Sequence, residues 1–417
     1  MPLTTHLTRI SFVLSVIFCG FFAHSAAHEN KQSLYFLMQS SLINHPSLKG
    51  KQSELESAQL RLSAAQWFRY PTFGLNTRSF SQGTSVVATI EQPLWTGGKI
   101  TGEISKAAGG KDVADFDFQE TRLNLLLQVN EAFFTLRALQ MRLVEAQNNV
   151  VEHESLLRII ERRVASEISP NADALFAQLR LRSAISQSIQ IKRELRKATN
   201  ALIQLTNQPI TALSIPIVQS LQQYTLGQII QQSLDISPNR QKLQSEVKVA
   251  KADIKLARSQ ALPNIILGLQ SNLGVDETSS GRDGLYIGLQ IESGAGLSAL
   301  DNIKASSAAA DALLQQVALF EIQYRQQIED NWVEYQTLLA ELEPLEFSYD
   351  TSIKVIESYI RQFRVGKKSW QDVMNAQKEK AENSYLLSNA QMQLLEITIR
   401  LKLQAGILHL NNLGQLQ

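Results

Sequence analysis

Hydrophobic and polar residues follow two periods along this chain, and the same succession of periods occurs twice. From about Ser47 to Phe68, Leu55, Ala58, Leu62 and Ala65 recur at three- and four-residue spacing, which predicts a helix with one packed face. Pro71 ends it, because a proline disfavours helical backbone at the residue before it. The period then shortens to two. In "TFGLNTRSF", Phe73 and Leu75 alternate with Gly74, Asn76 and Arg78, and in "SVVATIE", Val86, Ala88 and Ile90 alternate with Val87, Thr89 and Glu91. Strands are therefore predicted at about 72–80 and 85–92. From about Ile100 to Val164 no proline interrupts the chain, and Leu123, Leu126, Leu127, Asn130, Phe133, Phe134 and Leu136 form a stripe. A helix of that length extends roughly 100 Å at about 1.5 Å per residue.

The second half repeats this order. "HPSLKGKQSELESAQLRLSAAQWFRYPTFGL" aligns without a gap on "SPNRQKLQSEVKVAKADIKLARSQALPNIIL" at an offset of 192, Pro46 meeting Pro238 and Pro71 meeting Pro263. Farther on the offset is 201: Ile90-Glu91 matches Ile291-Glu292, and Arg163-Val164 matches Arg364-Val365. The growth falls around "GVDETSSGRDG". This is a tandem duplication, with units at 28–225 and 226–417, each ordered helix, two strands, long helix, tip, helix. In the second unit strands are predicted at about 264–274 and 284–292. Ile265, Leu267, Leu269 and Leu273 oppose Gly268, Gln270 and Asn272; Leu285, Ile287, Leu289 and Ile291 oppose Tyr286, Gly288, Gln290 and Glu292. The second long helix runs from about Leu300 to Arg364. Pro344 predicts a kink in it, and Gly109-Gly110 marks a weak point in the first. Such long helices, rich in Ala, Gln, Leu and Arg and ending in short tips, read as coiled-coil hairpins.

Apolar residues on one strand face, with glycine, amide and charge on the other, suit a strand between lipid and water. An ordinary sheet on a soluble core alternates identically. The strand count separates the two readings: nothing else in the chain supplies a layer to cover four apolar strands, and four strands cannot close a membrane barrel, which needs about eight. Other copies of the chain must complete it.

The totals narrow the chemistry. Forty basic against 39 acidic side chains leave no basic excess for nucleic acid. At the N-terminus, Arg9, the apolar run Ile10–Phe22 and Ser25-Ala26-Ala27 read as a secretory signal peptide over 1–27. Cys19, the only cysteine, lies within it, and bulky Phe18 before it argues against lipidation. No later apolar run reaches the length of a membrane helix. In "TIEQPLWTGGKIT", a phosphate loop would need glycine five residues before Gly98 and Ser or Thr after Lys99. Pro93 and Ile100 stand there instead. The segment reads as an elbow in which Pro93 stops strand pairing and Gly97 and Gly98 let the chain turn. The six histidines show no metal-ligand spacing, and His153 is expected to be solvated. No nucleophile–base arrangement stands out, so no enzyme activity, cofactor or metal is expected.

A duplicated unit of this order, with "IEQPLWTGGKI" and "FRVGKKSWQDVMNAQKEKAENSYLLSNAQMQLLEITIRLKLQAGIL", resembles the TolC-like outer membrane efflux family over almost the whole mature chain. The resemblance implies a mainly α protein with membrane β-structure: a homotrimer whose four strands per protomer form a 12-stranded barrel in outer-membrane lipid, continuous with a periplasmic helical tunnel. It implies passive export of substrates received from an inner-membrane transporter (RND or ABC type) and a periplasmic adaptor, in drug efflux or type I secretion. It also implies a periplasmic gate. Phe363 falls where relatives often have a tyrosine, Lys368 where they have an arginine, and Asp372 at the first acidic pore position. Asn375 replaces the second acidic residue, and Asp173 aligns with the acidic partner of the basic one. A Lys368–Asp173 pair between tips follows as the expected gate contact. The competing class is a soluble periplasmic coiled-coil adaptor or scaffold.

Overall fold

The computed structural model describes residues 32–80, 83–273, 283–291 and 298–408. The expected signal peptide, Cys19, and the second unit's counterpart of the elbow (292–297) lie outside the described residues. Each half opens with two helices at a proline corner: α1 (Leu34–Asn44) and α2 (Pro46–Trp67) in the first, α5 (Leu226–Ile236) and α6 (Pro238–Gln260) in the second. Pro46 and Pro238 both sit in the first helical turn, where the missing N–H costs no helix bond. His45 and Ser237 each close one helix and cap the next with a side-chain acceptor. The short helices α1 and α5 add an element to the order read from the sequence.

Four strands form one antiparallel sheet in the order β1 (Thr72–Phe80), β2 (Gly83–Trp95), β3 (Asn264–Asn272), β4 (Gly284–Gln290). The two hairpins thus join through β2 and β3, and among the described residues β1 and β4 each pair on one side only. β2 runs past the alternation read from the sequence. Pro93 does not stop pairing: it lies opposite Ile266, and the irregularity falls between Pro93 and Trp95. Proline is tolerated because the β1 ladder has already ended at Thr72–Glu91, which leaves β2 a neighbour on one side only.

The long helices are α3 (Lys99–Ala165) and α7 (Ser298–Arg364), of 67 residues each. Each returns through a shorter helix, α4 (Asn171–Thr206) and α8 (Trp370–Gln404). Pro344 lies inside α7, which continues on both sides of it. α3 packs mainly on α2, α4, α6 and α8, whereas α7 packs mainly on α5, α6 and α8. Gly102 and Gly109 let α6 approach closely, since a Cβ there would lie 2.8 Å from Leu256 and Val249 respectively. Gly109 is therefore a packing position. Three apolar cores follow: Phe133, Phe134 and Leu37 near α1; Ile229, Trp332 and Leu401 near α5; and Ile160, Phe363 and Trp370 where the two helical hairpins end.

Candidate gate and pore-lining surfaces

The two hairpin tips are built alike. In each, the second residue after the long helix takes a left-handed conformation, Glu167 at φ 59° and Gly366 at φ 76°. The next amide returns to a carbonyl five residues back, Ile168 to Arg163 and Lys367 to Gln362, which satisfies the carbonyls left open at a helix end. From the tips onward the duplication continues at an offset of 199, "DALFAQ" at 173–178 against "DVMNAQ" at 372–377. Asp173 and Asp372 are thus equivalent, each in the first turn of its return helix, where a carboxylate meets unpaired N–H groups.

The structure brings the expected gate residues together only in part. Lys368 Nζ lies 3.7 Å from Asp372 and 4.3 Å from the Tyr359 ring centroid. Asp372 also accepts from the Ser369 hydroxyl at 2.9 Å and the Ser369 amide at 3.3 Å. Hydrogen bonding from Ser369, then the nearby Lys368, holds this carboxyl below the ordinary aspartate range. Ser369 and Asp372 form a capping box; the S-x-x-D spacing in the sequence carried that signal. Phe363 is buried in the tip core with the Arg163 guanidinium 5.0 Å over its ring. Asn375 is exposed on α8 and Asp173 half-exposed on α4. Among the described residues no ion pair joins Asp173 to Lys368 within one protomer.

Sequence reasoning missed the polar seam between α3 and α8 above the tips. His153 is only 4% exposed, and its Nδ1 lies 3.2 Å from Met374 Sδ. That corrects the expectation of a solvated side chain. Burial, with Arg180 second, pushes its pKa down. Beside it, Gln377 donates to Asn149 and Glu152, and Lys380 reaches Glu152 at 3.0 Å and Glu145 at 3.5 Å. Burial pushes the Lys380 ammonium down, but the two carboxylates outweigh it and hold it above the ordinary lysine value. These positions look like a polar helix face because α3 is covered on more than one side, so its second buried face shows no hydrophobic period.

At the elbow, Gly97 and Gly98 have φ of 58° and 93°, a region that glycine enters without strain. A Cβ on Gly97 would lie 2.6 Å from that of Leu262. Lys99 is the first residue of α3, one peptide past this turn.

The sheet separates its faces sharply. Phe73, Ile90, Leu269 and Leu285 form one row across all four strands. Within the protomer this face is bare, Phe73 being 80% and Ile287 73% exposed. The row beside it, on the opposite face, is Thr72, Glu91, Gly268 and Tyr286. There the Tyr286 hydroxyl donates to Glu91 at 2.9 Å. Its ring lies so close over Gly268 that a Cβ would come within 2.2 Å. No helix among the described residues is long and apolar enough to cross a membrane, and none of them form a group able to hold a metal ion.

Comparison with known proteins accords with this geometry. The sequence pattern of a family described as outer membrane efflux protein matches residues 37–208 and 229–406, one match in each half. Curated protein sequences give no match. Among solved structures, the chain is similar to the outer membrane protein VceC of Vibrio cholerae (17% identity, 89% of this chain and 96% of that one, TM-score 0.78). It is also similar to the CmeC outer membrane channel of Campylobacter jejuni (14%, 89% and 85%, 0.74). The open-state MtrE outer membrane channel of Neisseria gonorrhoeae is a further match (17%, 89% and 88%, 0.68).

Proposed function

We propose, from the premise that this chain belongs to the outer membrane efflux protein family, that three copies close into one duct. Membership makes it an efflux channel of the outer membrane reaching into the periplasm. The observation that carries the trimer is the unfinished sheet. One face is apolar and bare, and among the described residues β1 and β4 lack an outer neighbour in the protomer. Pairing β4 of one copy with β1 of the next repeats the β2–β3 junction, and a closed ring alone removes edges that a bilayer cannot hydrate.

The helices support the same closure. α3 packs extensively on α6 and α8 from the other half, whereas among the described residues α7 makes no comparably extensive contact with α2 or α4. Ala146 on α3 is buried, yet Phe347, its equivalent on α7, is exposed. Under the duplication, α2 and α4 of the next copy would cover α7. Leu175 and Leu179 on α4 are exposed and apolar, as that contact requires.

The function is passage rather than catalysis, without cofactor and without nucleic acid. A periplasmic adaptor and an inner-membrane transporter of RND or ABC type supply cargo and energy, in drug efflux or in type I secretion. The tips form the gate, in which Lys368 exchanges its partner Asp372 for Asp173 of a neighbouring hairpin. Exposed pairs of this kind contribute about 0–1 kcal/mol each, enough in a ring to bias a mouth shut yet release it. Outer-membrane fractionation, followed by sizing in mild detergent, should give a trimer. In planar bilayers Lys368→Glu should raise single-channel conductance. A freely soluble monomer would overturn the duct in favour of an adaptor or scaffold, and an unchanged conductance would remove the gate pair alone.

A further inference from the structure

The described strands carry two charged residues, Arg78 on β1 and Glu91 on β2. Both lie on the face of Gly74, Asn76, Thr89 and Gln270, opposite the bare apolar rows. That face lines the bore in the trimeric reading, on which this inference rests. The two charges do not neutralise each other. Arg78 stands opposite Ser85 and Glu91 opposite Thr72, roughly 20 Å apart along the strand at about 3.3 Å per residue. Arg78 belongs to the hairpin end of the sheet, whereas Glu91 lies at the end where β2 leads into the elbow and α3.

Glu91 is also held in place. Its hydrogen-bond donor is the Tyr286 hydroxyl, a neutral group, so the bond orients the carboxylate without removing its charge. The bridge spans β3 and depends on Gly268, the position whose missing side chain makes room for the ring. Glu91 and Tyr286 come from different halves of the duplication, so both hairpins fix the charge against the wall.

We infer that Glu91 sets the charge preference of the barrel, giving its periplasmic end a ring of three fixed carboxylates that favours cationic over anionic solutes. Tyr286 and Gly268 are positioning residues. They keep the carboxylate on the wall and the bore clear. Twelve strands about 4.8 Å apart and tilted by about 40° give a backbone radius of about 12 Å. That is close to the screening length of about 10 Å in 0.1 M salt. Carboxylates at that range should bias cation over anion permeation about two- to threefold at 0.1 M, and hardly at 1 M, where screening shortens to about 3 Å.

The test is the reversal potential across a KCl gradient, measured on the reconstituted full-length trimer in planar bilayers. Glu91→Gln should lower the potassium-to-chloride permeability ratio to unity or below, because the Arg78 ring then stands alone, and Glu91→Lys should lower it further. Tyr286→Phe keeps the charge but frees the carboxylate from the wall, and should lower the ratio only part of the way that Glu91→Gln does. The inference is overturned if both Glu91 variants form channels with the wild-type ratio. It is also overturned if Asp372→Asn abolishes the preference while Glu91→Gln leaves it, or if Tyr286→Phe removes it as fully as Glu91→Gln. A wild-type protein that forms no channel would instead overturn the trimeric duct itself. Trimer recovery in detergent checks that each variant assembles.

Discussion

Gly109 and Gly110 are neighbours in α3, yet alanine should act on them in opposite directions. In a helix interior, alanine is better than glycine by about 1 kcal/mol. At Gly110 a Cβ meets nothing within 4 Å, so Gly110→Ala should be stabilising by up to that amount. At Gly109 the same Cβ would lie 2.8 Å from Val249 Cγ2 and, decisively, 3.3 Å from the Val249 amide nitrogen. A side-chain methyl can swing away; the backbone of α6 moves only if the helices separate. Forcing an extra carbon into a packed contact costs about 1–3 kcal/mol. The propensity gain subtracted, Gly109→Ala should lose about 1 kcal/mol. Urea denaturation in detergent, followed by circular dichroism, reads both variants, with shifted midpoints of opposite sign and unchanged slopes. Equal stabilisation by the two alanines would refute the close α3–α6 contact.

Other consequences are as direct. Ile287→Lys places a charge on the bare apolar face and should cost about 2–4 kcal/mol in the bilayer, read as loss of trimer from outer-membrane fractions; normal assembly would show that this face does not meet lipid. Glu167 holds a left-handed conformation that costs a non-glycine residue about 1–2 kcal/mol. Glu167→Gly should therefore slow amide exchange at the first tip, whereas Gly366→Ala should speed it at the second; matching effects would contradict the tip geometry. The fold holds His153 neutral, so its contribution is complete above the unfolded histidine pKa of about 6.5. It is lost as pH falls from there toward the lowered folded value. Melting of the wild type should thus decline more between about pH 7.5 and pH 5.5 than that of His153→Gln; parallel declines would show that His153 is not the group responsible.

Much of the architecture was legible in the sequence because its determinants are local. Alternation at Phe73–Leu75 and Leu285–Leu289 marked strands, Pro71 marked the end of the helix before them, and the offsets between the halves exposed the duplication. Pro93 was misread because the rule against proline in strands concerns the ladder on both sides, and the sequence does not say that β1 stops at Thr72. His153 was misread for a related reason: α3 is covered by α8 as well as by its own hairpin partner, and a helix buried on two faces loses the simple period that separates inside from outside. At the proposed gate the sequence suggested a Lys368–Asp173 pair, whereas within the protomer Lys368 stands 3.7 Å from Asp372. Ser369 captures Asp372 through the backbone geometry of a helix start, a local competition that an alignment of tips does not display.

The two longest helices have the same count of residues, 67 each, and both descend from the sheet. Their ends meet in one apolar core, where Ile160 of the first hairpin joins Phe363 and Trp370 of the second, as the proposed closure of a mouth requires. Tunnel depth is in consequence a quantity written in two places. A seven-residue deletion from α3 alone would leave one set of hairpins about 10 Å short of the other at 1.5 Å per residue. The same cut made in both would draw the whole mouth back toward the sheet by the same distance and leave it level. Changes in reach toward the inner membrane must come as matched pairs, a constraint that a single-hairpin tunnel would never face.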